Sequence, residues 1–575
     1  MPGKEELLRI RDLHISFTTE GRVHEVIKGI DLDIMKGEIV GLVGESGSGK
    51  SVTGLSLLGL LPESTAKISG SIEYVHNGKI KELVGMKESD FRSIKGSSIS
   101  MIFQEPMSSL NPVLTCGYQV DEMTRLHLKY TKRQAKEATL ELFRKVGLPD
   151  PVRIYDSYPH QISGGQIQRV MIAMAVSCNP DLLIADEPTT ALDVTIQRKI
   201  LDLLMDIRDE LGISILFISH DLGVIRDITT RINVMYRGIL VEKGLTKEVL
   251  SNPRHLYTKG LIACKPPLYH RVERLPVVSD FVRIEEDGAS YDFSPVIHQE
   301  KDNMANSNRR TAGTTLLKVS DLVVRYPVVK NFWGRTTSWL RAVDGISFEL
   351  KEGETLGVVG ESGCGKSTLG RTLVNLEKAH AGSAFFKNRD LFSQSEAEWK
   401  STSKHIQIIF QDPYSSLNPK MKIGEAIMEP MIVHHLYNDQ KGRRAKMLSL
   451  LDQVGLLPSH AGRYPHEFSG GQRQRISIAR ALALQPELLI CDESVAALDV
   501  SVQSQVLNLL KDLQKELGLS LLFITHDMSV VNFIADRVFV MNKGWIVETG
   551  LTADIIRNPS DAYTQRLISS IPQWE

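Results

Sequence analysis

The chain repeats itself over almost its whole length, and this duplication constrains its fold more than any other sequence feature. The segment GLVGESGSGKSVTG at Gly41 returns as GVVGESGCGKSTLG at Gly357. The segment SGGQIQR at Ser163 returns as SGGQRQR at Ser469, 306 positions later. A repeat of this length indicates a duplicated domain rather than the short unit of a solenoid.

Length and composition agree with two soluble domains. A chain of 575 residues is too long for one ordinary core, and 42% hydrophobic with 24% charged residues is typical of a globular protein. The formal net charge of -1 gives no electrostatic footprint for nucleic acid, so we expect no nucleic-acid partner. No apolar stretch approaches the ~20 residues that cross a bilayer, and the N-terminus has no signal-peptide pattern. The chain is therefore expected on the cytoplasmic side of any membrane.

The repeat boundaries divide the chain into a first domain with a C-terminal extension, 1–265, a linker, 266–314, and a second domain with a C-terminal extension, 315–575. The join is polar and lacks a sustained apolar period, so we expect a flexible linker. In each copy, apolar runs such as DLLIAD and SILFIS alternate with helical segments such as IQRKILDLLMDIRDEL. This alternation predicts a doubly wound α/β core, with a helical subdomain inserted before each SGGQ segment.

Each copy carries a glycine-rich loop of the kind that holds phosphate. Residues 44–51, GESGSGKS, and 360–367, GESGCGKS, fit the pattern G-x-x-x-x-G-K-[ST] between a strand and a helix. Backbone N–H groups can curl around a phosphate there, and the helix N-terminus favours negative charge. We expect the lysines to reach the β- and γ-phosphates and the serines to ligate Mg²⁺. The candidate nucleotide-binding residues are Gly44, Ser46, Gly47, Gly49, Lys50, Ser51 and Val52, and Gly360, Ser362, Gly363, Gly365, Lys366, Ser367 and Thr368.

An acidic pair ends a buried apolar strand in each copy. These pairs are Asp186–Glu187 and Asp492–Glu493. An aspartate at the carboxyl end of a strand can hold Mg²⁺, and the adjacent glutamate can orient and polarise an attacking water. Two solvated acids would be the simpler interpretation of either pair alone. Because each pair follows a phosphate-binding loop by about 140 residues, we predict that the aspartates bind the metal and that the glutamates are catalytic.

A histidine follows a third apolar strand in each copy. His220 lies in ISHD and His526 in ITHD. A lone histidine is usually structural. Its repeated position at the end of a central strand favours a catalytic contact with the γ-phosphate.

The order of these motifs resembles that of the ATP-binding cassette (ABC) ATPase family, twice and over nearly the whole chain. The resemblance implies two P-loop NTPase domains in tandem, each with a RecA-like core and a helical subdomain, that bind ATP and Mg²⁺ and hydrolyse ATP. It also implies that the SGGQ signature of one half closes over the nucleotide held by the other half, since a helix start offers free N–H donors. The signature residues with this expected role are Ser163, Gly165 and Gln166, and Ser469, Gly471 and Gln472.

The same resemblance assigns roles to further residues. Asp193 and Asp499, in the two ALD segments, are expected at the interface between the halves. Phe17 and Tyr326 match the place of the aromatic residue that stacks on adenine, although a core aromatic is an open alternative. Both halves keep the lysine, aspartate, glutamate and histidine, so two competent ATP sites are predicted.

Three segments resemble the dipeptide, oligopeptide and nickel importer branch of the family. The decapeptides FQEPMSSLNP and FQDPYSSLNP carry Gln104 and Gln411, which match the glutamine that touches Mg²⁺ and whose loop contacts a membrane partner. The segments that begin at Asn252 and Asn558 match the C-terminal segment of that branch. The aromatic and basic insertion at Tyr326 matches the second ATPase of such systems, with a surface hairpin as the alternative.

The resemblance implies a fused ATPase that powers import of di- or oligopeptides. Its expected partners are two transmembrane permease subunits and, indirectly, an extracytoplasmic solute-binding protein, and its expected place is peripheral, on the cytoplasmic face of the bacterial inner (plasma) membrane. Nickel, glutathione or another small solute of the branch is the alternative cargo.

A soluble tandem ATPase acting on ribosomes or DNA is the other class considered. The join lacks the long charged helix of such translation factors, and none of the five cysteines has zinc-type CxxC spacing. Cys264 alone stands where related importers carry a cysteine cluster, so we expect no iron–sulfur centre.

Overall fold

The computed structural model describes residues 5–19, 21–76, 78–105, 109–189, 194–284, 291–292, 313–330, 336–437, 439–496 and 498–571. Each half contains a four-stranded antiparallel sheet and a six-stranded, mostly parallel sheet. The strand orders of the two halves are the same, which agrees with the duplication in the sequence. No helix among these residues is long and apolar enough to cross a bilayer.

In the first half, β1 and β2 form a long hairpin beside β4 and β5, in the order β2-β1-β4-β5. The parallel sheet has the order β10-β9-β3-β8-β7-β6, with β10 antiparallel at the edge. The strands are β1 (Glu6–Thr19), β2 (Arg22–Met35), β3 (Ile39–Val43), β4 (Ala66–His76), β5 (Lys79–Glu82), β6 (Ile99–Ile102), β7 (Leu182–Asp186), β8 (Ser214–Ser219), β9 (Arg231–Tyr236) and β10 (Ile239–Leu245).

The helices of the first half are α1 (Lys50–Ser56), α2 (Glu88–Phe91), α3 (Cys116–His127), α4 (Lys132–Lys145), α5 (Pro151–Asp156), α6 (Gly164–Val176), α7 (Val194–Leu211), α8 (Leu222–Ile228), α9 (Thr246–Ser251) and α10 (Leu256–Ala263). Two strands of two residues each, β11 (Arg283–Ile284) and β12 (Tyr291–Asp292), follow and pair with each other.

The second half repeats this plan, with sheet orders β14-β13-β16-β17 and β18-β19-β20-β15-β21-β22. Its strands are β13 (Thr315–Lys330), β14 (Thr336–Lys351), β15 (Thr355–Val359), β16 (Ala381–Phe386), β17 (Arg389–Asp390), β18 (Ile406–Ile409), β19 (Leu488–Asp492), β20 (Ser520–Thr525), β21 (Arg537–Asn542) and β22 (Trp545–Leu551). Its helices are α11 (Lys366–Leu373), α12 (Glu396–Thr402), α13 (Ile423–Val433), α14 (Gln440–Gln453), α15 (Gly470–Leu482), α16 (Val500–Leu517), α17 (Met528–Ile534), α18 (Thr552–Arg557) and α19 (Ala562–Ser569).

The parallel strands are the buried centre of each half. Every residue of β3, β7, β8, β15, β19 and β20 is buried, as continuous apolar runs predict for strands covered on both faces. One apolar cluster joins one face of each parallel sheet to the antiparallel sheet, and another joins the opposite face to the helical subdomain. Because these strands are buried on both faces, the positions of their carboxyl ends, which the sequence motifs follow, are fixed relative to one another.

The predicted helical subdomains form between β6 and α6 and between β18 and α15. Helix α4 begins with a capping box, in which Thr131 and Gln134 each satisfy a backbone N–H group of the other. Its buried side chains, Ala135, Thr139 and Phe143, recur at a spacing of four and face the core. The antiparallel sheets do not follow from the sequence pattern, because the sequence does not show which edge strands pair.

The aromatic insertion of the second half lies in a hairpin, in agreement with the simpler interpretation of the sequence. Strands β13 and β14 pair over most of their length, and Pro327 faces Trp339. The Arg325 guanidinium lies 4.6 Å from the ring centroid of Trp339, which is 42% exposed.

The prediction of a flexible linker is wrong for residues 266–282. Leu275 is 1% exposed and belongs to the apolar core of the second half, whereas Val278 and Val282 belong to the core of the first half. Much of the remainder of the predicted linker lies outside the described residues. The apolar side chains of this stretch, such as Leu275, Val278 and Val282, were the available signal, but they follow no helix or strand period.

Candidate functional site

The sequence motifs meet at the carboxyl ends of adjacent parallel strands. In the first half the phosphate-binding loop follows β3, the acidic pair ends β7 and His220 follows β8, and β7, β8 and β3 are neighbours in the sheet. The second half has the same arrangement at β15, β19 and β20. Ligands of open α/β sheets bind at this edge, so the predicted site residues of each half lie where one ligand can reach them together.

The first phosphate-binding loop holds its lysine over its own backbone. Lys50 Nζ donates to Gly44 O and Glu45 O, each at 2.8 Å. A Cβ on Gly44, whose φ is +156°, would lie 2.1 Å from Met235 O, so only glycine fits this close approach. Lys50 is 5% exposed, and its burial lowers the pKa of its ammonium although carboxylates around it oppose that change.

The second loop has nearly the same geometry. Lys366 Nζ donates to Gly360 O at 2.7 Å and to Glu361 O at 2.9 Å. Gly365 has φ +106°, and a Cβ there would lie 1.9 Å from Ala342 O. Two loops of equal shape, each with a buried lysine and a helix start, can each cradle a polyphosphate.

A hydroxyl and a carboxylate face each other beside each lysine. Ser51 Oγ donates to Asp186 Oδ1 at 3.1 Å, and Ser367 Oγ donates to Asp492 Oδ1 at 2.7 Å. Burial raises the pKa of Asp186 to about 6 and also raises the pKa of Asp492. Among the described residues, Asp492 Oδ2 is buried without a hydrogen-bond partner. This donor set fits a hard, oxygen-seeking cation such as Mg²⁺.

The predicted catalytic glutamate of the first half is held from two sides. Gln104 Nε2 donates to Glu187 Oε2 at 2.9 Å, and His220 Nδ1 lies 3.1 Å from Glu187 Oε1. Burial alone would lower the pKa of His220, but its contact with Glu187 raises it above the ordinary value. The structure therefore brings the predicted metal-contacting glutamine, the glutamate and the histidine together.

The second glutamate has similar neighbours at different distances. Gln411 Nε2 donates to Glu493 Oε2 at 2.8 Å, but His526 Nδ1 lies 3.8 Å from Glu493 Oε2 and Lys366 Nζ lies 3.6 Å from Glu493 Oε1. Burial would raise the pKa of Glu493, but His526 and Lys366 together bring it below the ordinary value. The glutamate of this half lies between the Lys366 ammonium and the His526 ring.

Both glutamates have a backbone conformation that is rare for this residue type. Glu187 has φ +48° and Glu493 has φ +46°. A left-handed conformation of a non-glycine residue costs of order 1 kcal/mol and persists only where the surroundings impose it. In both halves the glutamate with this backbone conformation lies beside the histidine that follows the next strand of the sheet.

The signature segments begin helices, as predicted. Ser163 precedes α6 and donates its backbone N–H to Gln166 Oε1 at 2.9 Å, and Ser469 precedes α15 and makes the same bond with Gln472 at 3.1 Å. A Cβ on Gly471 would lie 2.1 Å from Val502 Cγ1, so this glycine also permits close helix packing. The grip of each signature on the other half's nucleotide stays a prediction.

The two aromatic candidates occupy equivalent strands. Phe17 lies on β1 opposite His24, and Tyr326 lies on β13 opposite Leu340. Both side chains are partly exposed, which leaves a ring face for a ligand. Their role in adenine stacking stays a prediction.

The halves touch through the first phosphate-binding loop. The Ser46 backbone N–H donates to Asp499 Oδ2 at 3.0 Å, and Ser501 Oγ donates to the Glu45 carboxylate. The predicted interface position of Asp499 therefore agrees with the structure. Asp193 lies outside the described residues.

A cavity of about 150 Å³ lies between the halves beside these contacts. Both histidines, His220 and His526, line it, together with Lys265, and Lys265 Nζ lies 3.3 Å from Asp221 Oδ1. The cavity connects the ends of β8 and β20, so the two candidate sites share one interface.

The sequence interpretation missed one contact in each half. The Glu45 backbone N–H donates to the Tyr257 hydroxyl at 3.0 Å, and the Glu361 N–H donates to the Tyr563 hydroxyl at 2.9 Å. Both tyrosines are buried. Their repeated Tyr-Thr dipeptide was the available signal, but spacing alone could not place it under a loop more than 200 residues upstream.

Comparisons with known proteins agree with this geometry. The family described as ABC transporter matches residues 27–190 and 343–496, and the family described as oligopeptide/dipeptide transporter, C-terminal region, matches residues 241–287 and 547–575.

The chain is similar to proteins named glutathione import ATP-binding protein GsiA. It is 42% identical to that of Pectobacterium atrosepticum over 574 residues, which covers 100% of this chain and 90% of the relative. The relative of Salmonella choleraesuis is 44% identical over 585 residues, with 100% and 91% covered. A solved dimeric bacterial ABC transporter cassette is 27% identical, covers 41% of this chain and 98% of its own, and has a TM-score of 0.37.

Proposed function

The chain belongs to the ABC transporter family, as two ATP-binding cassettes in one polypeptide, and from this premise we propose that it powers import of glutathione or another short peptide. It is an ATPase and the ATP-binding subunit of an importer. The observation that carries the cargo proposal is the 42–44% identity, across the whole chain, to proteins named for glutathione import. Glutathione is a tripeptide, so the match of both C-terminal extensions to the oligopeptide/dipeptide transporter family supports the same solute class. Of the solutes weighed from the sequence, glutathione is thus favoured over longer peptides.

On this proposal, the cassettes span 1–265 and 315–575, and of the residues 266–314 between them Val278 and Val282 pack in the core of the first cassette. Each ATP site combines the loop of one half with the signature of the other. The first site contains Lys50, Glu187 and His220 with Ser469, Gly471 and Gln472, and the second contains Lys366, Glu493 and His526 with Ser163, Gly165 and Gln166. The contact between Ser46 and Asp499 supports a pairing in which residues of the second half complete the first site.

The catalytic work falls on the glutamates. Gln104 and His220 hold the two carboxylate oxygens of Glu187, so that the group can accept a proton from a water placed beside it. Lys50, which in this structure binds loop carbonyls, would exchange them for phosphate oxygens. When bound, Mg²⁺ neutralises charge on the β- and γ-phosphates, and Ser51 and Asp186 would hold it.

The proposed partners are two transmembrane permease subunits at the cytoplasmic face of a bacterial inner membrane, with a solute-binding protein on the other side. Tyr414, in the second decapeptide, is 48% exposed and lies under the Arg473 guanidinium at 5.2 Å, which supports a protein-facing role for this loop. Met107, at the matching place in the first decapeptide, lies outside the described residues.

The cargo is tested by assembling the chain with its membrane partners in lipid vesicles. A solute-binding protein loaded with glutathione should stimulate ATP hydrolysis and uptake at least several-fold. The same protein presented with a dipeptide, a longer peptide or nickel should stimulate less. If a longer peptide stimulated ATP hydrolysis and uptake and glutathione did not, the cargo would be an oligopeptide instead.

A further inference from the structure

We propose that an arm of the first half, residues 266–276, clasps the second half and holds the two halves together in the absence of nucleotide. The arm leaves the first half after Cys264, crosses helices of the second half and returns to the first half at Val278. The clasp does not depend on which solute is transported.

Both ends of the arm are fixed to the first half. Cys264, Val278 and Val282 are buried in the same apolar cluster as Tyr257 and Leu261 of that half. The segment from Val278 to Asp280 forms one turn of 3₁₀ helix that packs against α10. The arm is therefore a loop of the first half and not a free tail.

The middle of the arm belongs to the second half. Leu275 is 1% exposed and lies within the apolar core of that half, and Leu268, Tyr269 and Val272 pack against the same core. A leucine buried this fully contributes of order 2 kcal/mol to the association. The arm thus places an apolar anchor inside the opposite domain.

Two asparagine side chains of the second half bind the arm's backbone. Asn508, on α16, accepts from the Leu275 N–H at 2.9 Å and donates to the Leu275 carbonyl at 2.8 Å. Asn532, on α17, donates to the carbonyls of Pro267 and His270, each at 3.1 Å. Asn508 is 3% exposed, so its two bonds are made away from water, where leaving either unmade is costly.

Opposite charges also face each other along the arm. The ion pairs are Arg271–Asp536 at 3.3 Å, Arg274–Asp512 at 3.0 Å and Glu273–Lys515 at 3.3 Å. The Asp536 carboxylate is 4% exposed, so its ion pair with Arg271 is largely shielded from solvent. In addition, Lys511 Nζ donates hydrogen bonds to the carbonyls of Val272 and Glu273 at 3.4 and 3.2 Å.

The duplication shows that this binding surface is specific to one half. Asp202 stands in the first half where Asn508 stands in the second. An ionised carboxylate only accepts hydrogen bonds and could not donate to a carbonyl as Asn508 does. Other arm-binding positions also differ between the halves, as Lys511, Asn532 and Asp536 correspond to Met205, Arg226 and Thr230.

The arm contacts α16 at a distance from the ATP-site contact. Asn508 lies nine positions after Asp499, which corresponds to roughly 14 Å along a helix. The bonds of Asn508 to the arm are therefore separate from the hydrogen bond between Asp499 and Ser46.

The test begins with the folded full chain, into which a protease site is inserted within residues 293–312. After cleavage without nucleotide, the two fragments should elute together in gel filtration at micromolar concentration. The control variant Asp202→Asn, at the equivalent position of the other half, should leave their dissociation constant unchanged.

Two variants remove the clasp by different routes. Asn508→Asp keeps the side-chain shape but faces the Leu275 carbonyl with an acceptor, and should raise the dissociation constant of the cleaved fragments at least about 10-fold. Leu275→Asp places a charge in the second core and should raise it about 100-fold or more. Val152→Asp, at a position 55% exposed, is the matched surface control.

The proposal would be overturned if the fragments of the unsubstituted chain separated without nucleotide. It would also be overturned if fragments with Asn508→Asp or Leu275→Asp bound each other as tightly as the unsubstituted pair. Melting temperatures of the uncut variants establish that each half remains folded. An Asn508→Asp chain that melts normally and loses only fragment affinity supports the clasp.

Discussion

The backbone N–H of Ser46 donates to the Asp499 carboxylate at 3.0 Å, although the two residues lie 453 positions apart in the chain. Ser46 belongs to the phosphate-binding loop of the first half, and Asp499 immediately precedes α16 of the second. The bond joins the phosphate-binding loop of one cassette to the ALD segment of the other. Opening of the halves must break it.

This bond predicts a loss at the first ATP site when Asp499 is truncated. A hydrogen bond to a charged group contributes about 1.5–3 kcal/mol, so Asp499→Ala should lower kcat/KM for ATP at that site by roughly 10- to 100-fold. Asp499→Asn retains an oxygen acceptor and should lose less. Steady-state ATPase assays check the order of the variants, with Asp452→Ala, an exposed position on α14, as the control. Normal turnover in Asp499→Ala would show that the contact is incidental.

Separate substitution of the two glutamates tests whether both sites turn over. Because general base catalysis contributes about 10²–10⁴-fold, Glu187→Gln and Glu493→Gln should each abolish hydrolysis at their own site while ATP still binds. The double variant should retain almost no activity. Single-turnover measurements check this, with Glu141→Gln as the surface control. Full ATP turnover in either single variant would contradict a competent site in that half.

The tyrosine hydroxyls beneath the loops predict a change in nucleotide affinity. Tyr257→Phe and Tyr563→Phe each leave a loop N–H without its acceptor, at a cost of about 1 kcal/mol. We expect the Kd for ATP at the affected site to rise about 5-fold, with the melting temperature nearly unchanged. Nucleotide titration checks the change, and Tyr118→Phe, at an exposed position, is the control. If the affinity for ATP were unchanged in both variants, the tyrosine hydroxyls would have no role in nucleotide binding and the side chains would serve only in core packing.

The exposed tyrosine of the second decapeptide predicts a separation of transport from hydrolysis. Tyr414→Ala should leave ATP hydrolysis by the isolated chain within about twofold, because this half-exposed ring lies outside the lysine–glutamate–histidine cluster. The same variant should assemble poorly with the membrane partners or lose uptake. Tyr437→Ala, in the helical subdomain, is the matched control. Normal assembly and uptake in Tyr414→Ala would make the proposed loop contact untenable.

Burial predicts unreactive thiols in the native protein. All five cysteines are buried, and burial raises the pKa of Cys264 and of Cys491 to about 12 and that of Cys116 to about 11. Since the thiolate is the reactive form, labelling at pH 8 should be at least 100-fold slower in the folded chain than in denaturant. Rapid labelling of native Cys264 would contradict its burial in the first half, directly before the arm of residues 266–276. A colorimetric thiol assay before and after unfolding measures the difference.

Much of the candidate site follows directly from local sequence. The strain at Glu187 and Glu493 cannot be inferred from local sequence. The strands that carry these residues can, because short continuous apolar runs such as DLLIAD are typical of parallel strands covered on both faces. The loops, acids and histidines follow those strands by one or a few residues. Their convergence is a consequence of parallel strand ends meeting at one edge.

What the sequence determined by itself is therefore the duplication and the α/β plan of each half, and it predicted the lysine, acid and histidine set of each candidate site, since these depend on contiguous patterns. Only the tertiary structure decided how the halves meet. The bond from Ser46 to Asp499, the tyrosine hydroxyls under the loops and the arm anchored by Leu275 each join residues that are hundreds of positions apart or bind backbone groups, which have no sequence signature. Such contacts arise from the packing of folded domains, so a segment without helix or strand periodicity, which predicts a flexible linker, can contain the clasp between them.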